Sequence, residues 1–448
     1  MKLTFYGGCS EATGANYILE SGATRIMIDC GLHQGSHYAE RENFEPLPYE
    51  AGSVEAVFTT HAHLDHIGRL PTLVKSGFKG VIYSTTATQD FAELMLVDSE
   101  HLLNDEAKRE GRPPLYNNED IENVMRHWHG LGYHEKVTIG PFTVELYDAG
   151  HILGSAIIHV EAEGKMIVFS GDLGNSPAPI IKATETVPAA DYCLVESTYG
   201  DRVHDDVPKR VEILRKTIVD TVHDGGTLMI PSFAMERTQD LLYVLHELFE
   251  KNEIPRVPVY IDSPLAIKVT EVYKKHEDYF NNAIKEEEKI TGDDILNFPG
   301  LTLTLTTEQS KEINGVKPPK IIIAGSGMSN GGRILHHEMR YLPDPKSTIV
   351  FVGYQATGSM GRQILEGMQE VRIFGETIPV RAHRVNIPGY SAHADQPHLV
   401  EWVGAMKGLK KAWVVQGEGP SSIALAGKIT EILGVSAEVP KQGETVEL

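Results

Sequence analysis

The sequence predicts an α/β protein that gathers its reactive side chains at the ends of strands. Three features point there. The run Val57-Phe58-Thr59-Thr60 empties into His61-Ala62-His63-Leu64-Asp65-His66, three imidazoles and a carboxylate within six residues. Two later apolar runs end in the same way: 142–146 leads to His151, and 166–169 leads to Asp172. Beyond about residue 200, β-type runs alternate with stretches at helical spacing, the pattern of a parallel sheet covered by helices.

Taken in order, the first seven residues read as a strand entering a glycine turn, without the long apolar core of a signal peptide. Tyr17-Ile18-Leu19-Glu20 and Arg25-Ile26-Met27-Ile28-Asp29 flank Ser21-Gly22 as a hairpin. Asp29 closes its strand, where its carboxylate serves either a sheet edge or a turn. Residues 68–77 read as helix and 81–83 as strand. Residues 90–135 are polar and read as helical, with a loop at Arg112-Pro113-Pro114. His127, His129 and His134 fall there without metal spacing and read as solvated or packed. Leu241, Leu242, Val244, Leu245, Leu248 and Phe249 form an apolar helical stripe. Strands are expected at 257–261, 320–324, 348–352 and 380–387, then a helix at 398–406 and a strand at 412–415.

Composition bounds the function. The 448 residues are 41% hydrophobic and 23% charged, globular values with room for two or three domains. No apolar run approaches the ~20 residues that span a bilayer, so no membrane partner is expected. Three cysteines, Cys9, Cys30 and Cys193, suit a reducing compartment, and the chain reads as cytoplasmic. A net charge of −21 argues against broad nonspecific binding to nucleic acid, although it leaves room for a local basic groove.

The histidine cluster has the chemistry of a metal site. His61 and His63 project from one side of an extended segment, because strand side chains alternate. Asp65 and His66 follow where a helix can begin, and imidazole with carboxylate is a donor set that zinc accepts. His151 and Asp172 join it through their shared placement at strand ends. Farther on, Ala324-Gly325-Ser326-Gly327-Met328-Ser329-Asn330-Gly331-Gly332-Arg333 ends a strand and opens a helix. That is either a phosphate-binding turn or a tight connection; it carries no Walker lysine.

Across nearly its whole length the chain resembles the β-CASP branch of the metallo-β-lactamase superfamily, the RNA- and DNA-processing nucleases. It is most similar to short bacterial and archaeal relatives of the pre-mRNA 3′-end cleavage endonuclease. The resemblance is carried by Ile28-Asp29-Cys30-Gly31, the 61–66 cluster, Ala149-Gly150-His151-Ile152-Leu153-Gly154-Ser155 and Phe169-Ser170-Gly171-Asp172. It continues in Glu196-Ser197-Thr198-Tyr199-Gly200, Gly325-Ser326-Gly327-Met328 and Tyr390-Ser391-Ala392-His393-Ala394-Asp395.

The resemblance implies an αββα sandwich, residues 1–200 and 386–448, interrupted by a β-CASP α/β domain at 201–385. It implies two zinc ions: His61, His63 and His151 on one, Asp65 and His66 on the other, Asp172 between them. Asp29 then orients a ligand imidazole from behind. Glu196 matches the first acidic motif associated with the insert and His393 the histidine motif that follows it. Asp65, His393 and Glu196 are the expected catalytic residues. Ser326, Ser329, Arg333 and Arg362 are the expected RNA contacts. The stretch Gly353-Tyr354-Gln355-Ala356-Thr357-Gly358-Ser359-Met360-Gly361-Arg362 is similar to the endonucleases rather than the 5′-exonucleases. Single-stranded RNA, cut to 5′-phosphate and 3′-hydroxyl ends, is the implied substrate, and the resemblance allows a homodimer.

One position breaks the pattern. RNA-processing members carry a zinc-ligand histidine where this chain has Gln416, in Val414-Val415-Gln416-Gly417-Glu418. An amide oxygen is a poorer zinc ligand than imidazole. Three outcomes stay open: a working nuclease with a changed ligand, an attenuated enzyme with a weak or missing second zinc, or an RNA-binding relative without catalysis. A small-molecule metallo-hydrolase of the wider superfamily is the remaining alternative, and it leaves the insert motifs and His393 without a role.

Overall fold

The computed structural model describes residues 1–35, 41–204, 207–292, 294–353, 355–356, 358–387 and 391–448. Tyr354, Thr357 and Tyr390 of the motifs above lie outside the described residues. Contacts divide the chain into two compact units: Met1–Val203 with His393–Leu448, and His204–Ala392. The breaks expected from the sequence were at 200/201 and 385/386.

The first unit is a sandwich of two seven-stranded sheets among the described residues. One sheet runs Thr445–Glu447, Lys2–Gly7, Asn16–Ser21, Thr24–Ile28, Ala56–Phe58, Val81–Thr85 and Trp128–Leu131, in spatial order. The other runs Ser436–Glu438, Lys411–Val415, Tyr192–Glu196, Lys165–Phe169, Ala156–Ala162, Phe142–Asp148 and Lys136–Ile139. Period-two patterning fixes which faces meet. Leu3 and Phe5 of Lys2–Gly7, and Phe142, Val144 and Leu146 of Phe142–Asp148, all turn inward. They meet Tyr17, Ile28, Phe58, Ile158, Phe169 and Trp413 in one core, where Phe5 and Trp413 lie 5.8 Å apart. Each large apolar side chain buried there contributes ~1.5–3 kcal/mol. The second sheet's outer face, with Val168, Val195 and Val414, packs on Leu399 and Val403 of Gln396–Gly404 and on Leu425 and Ile429 of Gly419–Leu433. Helices Leu70–Lys75, Thr86–Glu110 and Asn118–Arg126 lie with the first sheet. The layers are therefore α, β, β and α.

The segment expected to be helical through 135 departs from that expectation. Gly111, at φ 68°, closes the helix Thr86–Glu110, and a capping box of Asn117 and Asp120 starts Asn118–Arg126. Trp128–Leu131 then pairs parallel to Val81–Thr85 as the edge strand. The buried Trp128 donates its indole N–H to the Ser84 hydroxyl at 2.8 Å. Pairing with an available sheet edge outweighs the polar local composition.

The second unit is built, among the described residues, on a six-stranded, all-parallel sheet: Leu301–Leu303, Val259–Ile261, Lys320–Ala324, Thr227–Pro231, Thr348–Phe351 and His383–Asn386. The expected 380–387 strand is thus shorter. A hairpin of Glu370–Ile373 and Glu376–Pro379 precedes it, turning at Phe374 and Gly375, both at positive φ. That two-residue turn suits strand twist, but Phe-Gly is not the usual Asn-Gly signal, so the hairpin was hidden in the sequence. No helix among the described residues is long and apolar enough to cross a membrane.

Candidate metal centre

The site is assembled at the strand ends of the first unit. Thr60 and His61 follow Ala56–Phe58, His151 follows Phe142–Asp148, Asp172 follows Lys165–Phe169, Glu196 ends Tyr192–Glu196, and Gln416 follows Lys411–Val415. Close backbone approach makes this possible. A Cβ on Gly31 would lie 1.5 Å from the Asp65 carbonyl oxygen, and one on Gly171 would lie 2.6 Å from Thr60 Cβ. Glycine at 31 lets the short helix Leu64–Ile67, which carries Asp65 and His66, press against its sheet, and glycine at 171 lets the loop before Asp172 close on Thr60.

Asp29 supports this framework from behind. Its carboxylate accepts the Thr60 N–H at 2.8 Å and the Thr60 hydroxyl at 2.9 Å, and lies 2.8 Å from His66 Nδ1. A proton on Nδ1 leaves the lone pair on Nε2. Thr60, which carries no motif signal of its own, also places its hydroxyl 3.1 Å from His61 Nδ1 and 3.2 Å from His66 Nδ1. Its position immediately before the histidine cluster was the available clue.

One donor set fits a metal ion closely. His63 Nδ1 is 3.0 Å from His61 Nε2 and 3.3 Å from His151 Nε2. Asp172 Oδ2 is 3.4 Å from His61 Nε2 and 3.5 Å from His151 Nε2. Donors ~2.05 Å from a zinc ion lie ~3.3 Å apart along a tetrahedral edge; these four donor pairs have about that spacing, and all four atoms lie within 4.8 Å of one another. Burial, then the nearby His61 ring, holds His63 well below the ordinary histidine pKa. Burial, then His393, does the same for His151. Both are therefore neutral and present lone pairs, the form a metal requires.

A second group lies across Asp172. Its Oδ1 is 3.4 Å from His66 Nε2, which in turn is 3.9 Å from Asp65 Oδ2. Burial opposes ionisation of Asp172, but His66, His393 and His61 outweigh it and hold the carboxyl well below the usual range. Gln416 occupies this corner. Its Nε2 lies 2.9 Å from His66 Nε2 and donates to Asp172 Oδ1 at 3.1 Å. Its backbone N–H is fixed on the Gly8 carbonyl at 2.7 Å. Rotating the amide by 180° brings its oxygen to the same place, so the side chain has two modes: donor to its neighbours, or weak oxygen ligand.

Beside the metal-type residues stands a carboxylate–imidazole pair. His393 Nδ1 lies 3.1 and 3.3 Å from the two Glu196 oxygens and 3.8 Å from Asp172 Oδ2. Glu196 is fully buried and also accepts the Leu173 N–H at 2.7 Å. Burial works against a charge on His393, but Glu196 and Asp172 outweigh it and lift the imidazole to about 9.

Residues 13–202 match the metallo-beta-lactamase superfamily, 238–364 the Beta-Casp domain, and 377–440 the Zn-dependent metallo-hydrolase RNA specificity domain. The chain is 37% identical to Ribonuclease TTHA0252 of Thermus thermophilus, with all of both chains covered. The chain belongs to the β-CASP branch of the metallo-β-lactamase superfamily. Other members of the branch are similar over the full fold. An RNase J-like protein of Methanocaldococcus jannaschii is 32% identical over 98% of each chain. Transcription termination factor FttA of Methanosarcina mazei is 31% identical, covering all of this chain and 72% of that one. A crystal structure of a protein of unknown function from Enterococcus faecalis V583 has the same fold: TM-score 0.58, 14% identity, 100% and 99% coverage.

As a β-CASP protein the chain is a metal-dependent hydrolase. Its second unit holds the remaining sequence candidates. Ser326 donates to the Gly331 carbonyl at 3.3 Å and accepts the Asn330 N–H at 3.2 Å. Ser329 is buried and bonds Glu338. Arg333 donates to Asp262 at 2.8 Å and to the carbonyls of Thr304 and Leu305 at 2.9 and 3.0 Å. Arg362, more exposed, bonds Glu366 at 2.6 Å. His127, expected to be ordinary, meets the Gly80 carbonyl at 2.7 Å through Nδ1, and His129 and His134 are exposed.

Proposed function

We propose that the chain is a zinc-dependent endoribonuclease that hydrolyses single-stranded RNA to 5′-phosphate and 3′-hydroxyl ends. The carrying observation is the convergence of His61, His63, His151 and Asp172 beside the Glu196–His393 pair. The ribonuclease and RNase J-like names of full-length relatives support RNA as the substrate. In this reading His61, His63 and His151 hold one zinc, Asp65 and His66 hold a second, and Asp172 bridges. Bound zinc supplies Lewis acidity at the phosphodiester and lowers the pKa of a water molecule. Glu196 fixes the Nδ1 proton of His393, leaving Nε2 to protonate the departing 3′-oxygen. With its pKa at about 9, His393 carries that proton at neutral pH. Asp29 and Thr60 hold His66 and His61 in register. Arg333 and Arg362 are the proposed phosphate contacts, and a phosphate at Arg333 competes with Asp262 for the guanidinium. Three unpaired cysteines, two of them buried, support a reducing cytoplasm as the compartment.

The test is an internally labelled single-stranded RNA with excess zinc, incubated with the protein and with Asp65→Ala. Internal cuts bearing 5′-phosphate, absent with the variant, support the proposal; equal cleavage by both overturns it. A second reading, an attenuated enzyme, draws on the Gln416 amide beside His66 and Asp172. It is favoured if the protein cuts only after Gln416→His.

A further inference from the structure

The first unit contains a cavity that the metal chemistry does not use. It has a volume of about 450 Å³ and is lined by Tyr6, Asn16, His33, Arg41, Tyr49 and Arg69 among others. That volume is in the range of small-molecule sites. Arg69 is only 8% exposed. Among the described residues its guanidinium has one hydrogen bond, Nη2 to the Glu45 carbonyl at 3.2 Å, and Nε has none. No described carboxylate lies within 4 Å of it, although Glu42 and Glu45 also line the cavity. A buried guanidinium without a counter-charge is costly, and arginine is rarely buried unless paired. Arg41 adds a second cation at the same cavity without a described carboxylate in range.

The rest of the lining has the character of a site for an organic molecule. Tyr6 and Tyr49 meet edge to face with ring centres 4.9 Å apart. The Asn16 amide donates to the Tyr49 hydroxyl at 2.9 Å. Gly14 is required beside His33, since a Cβ there would lie 2.6 Å from the imidazole. We propose that this cavity binds the phosphate monoester of a mononucleotide-sized ligand, with Arg69 and Arg41 as its anion-binding groups. Guanidinium meets phosphate oxygens through paired N–H groups, which supplies the missing counter-charge. Aromatic and amide walls then take the remainder of the ligand.

The cavity adjoins the backbone that positions the second metal group. The Ala15 N–H donates to the Asp65 carbonyl at 2.9 Å, the Cys30 N–H to that of His66 at 2.7 Å, and the Arg69 N–H to that of Cys30 at 2.9 Å. A ligand on Arg69 therefore sits one hydrogen-bonded layer from Asp65 and His66. The proposal stands whether or not the chain cleaves RNA.

Equilibrium dialysis of the full protein with AMP and GMP, beside adenosine and guanosine, is the test. One nucleotide per chain is expected, with each nucleoside bound at least tenfold more weakly. Arg69→Gln should weaken AMP at least tenfold. Arg41→Gln, at an exposed position, should weaken it severalfold while unfolding like wild type, so misfolding cannot account for the loss. A phosphorothioate oligoribonucleotide with and without a 5′-phosphate separates the two sources. A preference for the phosphorylated chain, lost in Arg41→Gln, indicates an RNA end; binding of AMP alone indicates a free nucleotide. Failure of AMP and GMP to bind at millimolar concentration overturns the proposal. So does equal affinity for the nucleosides, or binding that neither arginine substitution alters.

Discussion

Two buried aspartates, one in each unit, end strands and lie against histidines, yet they face opposite chemistry. Asp262 in the second unit is fully satisfied: it accepts from His337 at 2.7 Å, Ser310 at 2.6 Å, Thr304 at 2.7 Å and Arg333 at 2.8 Å. Burial opposes its charge, but these donors outweigh it and hold the carboxyl well below the usual range. Asp172 in the first unit stands 3.4–3.5 Å from three imidazole nitrogens, too far for good hydrogen bonds. Two of the surrounding rings, His63 and His151, are held neutral. Converging donors complete Asp262; at Asp172 the neutral His63 and His151 add lone pairs to the carboxylate, while His66 and His393, held above the ordinary histidine range, stand beside it. The same residue types thus make a structural joint in one unit and a candidate metal site in the other.

The largest expected effect breaks the metal side of that comparison. Asp65→Ala should lower RNA cleavage by at least ~10³-fold, or ~4 kcal/mol of activation free energy, in single-turnover assays. Its unfolding midpoint measured without metal should stay close to wild type. Next, Asp262→Ala should destabilise the protein by ~3–5 kcal/mol in denaturant titrations, because Arg333 and His337 lose their partner. Its zinc content by elemental analysis should not change, whereas Asp172→Ala should lose tight zinc.

A third carboxyl sharpens the contrast. Glu338 is fully buried with only the Ser329 hydroxyl as donor among the described residues, and burial lifts it to about 8. Folded Glu338 therefore keeps its proton between the unfolded value of ~4.3 and about 8, and stability falls as pH rises through that window. Glu338→Gln keeps the acceptor for Ser329. It should flatten the pH dependence of Tm and stabilise the protein by ~1–3 kcal/mol at pH 8. The smallest effect is expected at Gln416. Gln416→His should raise tight zinc from about one to two per chain and increase cleavage by about fivefold, ~1 kcal/mol. Two tight zinc ions already present before the substitution would show that the glutamine serves as a ligand.

Much of this site was legible because it is written locally. His61, His63, Asp65 and His66 fall within six residues, and a strand entering a turn is enough to bring them together. His151 and Asp172 were readable as strand-end residues, and the family pattern linked them to the cluster. Thr60 and the role of Asp29 were less visible, since a threonine or aspartate at a strand end has many uses. The fate of Arg333 was not legible at all. As a basic residue after a glycine-rich turn it reads as a phosphate contact, but its first partner is Asp262, 71 positions away.

The sequence alone determined the residue chemistry and the alternation of strands and helices, because side-chain type and hydrophobic period are local properties. It also set Gln416 apart. Only the tertiary structure decided which lone pairs converge to 3.0–3.5 Å, which carboxylate is satisfied by donors, and that Arg69 is buried without a described counter-charge. Those depend on sheet register and close backbone approach between distant segments, and no local pattern encodes such distances.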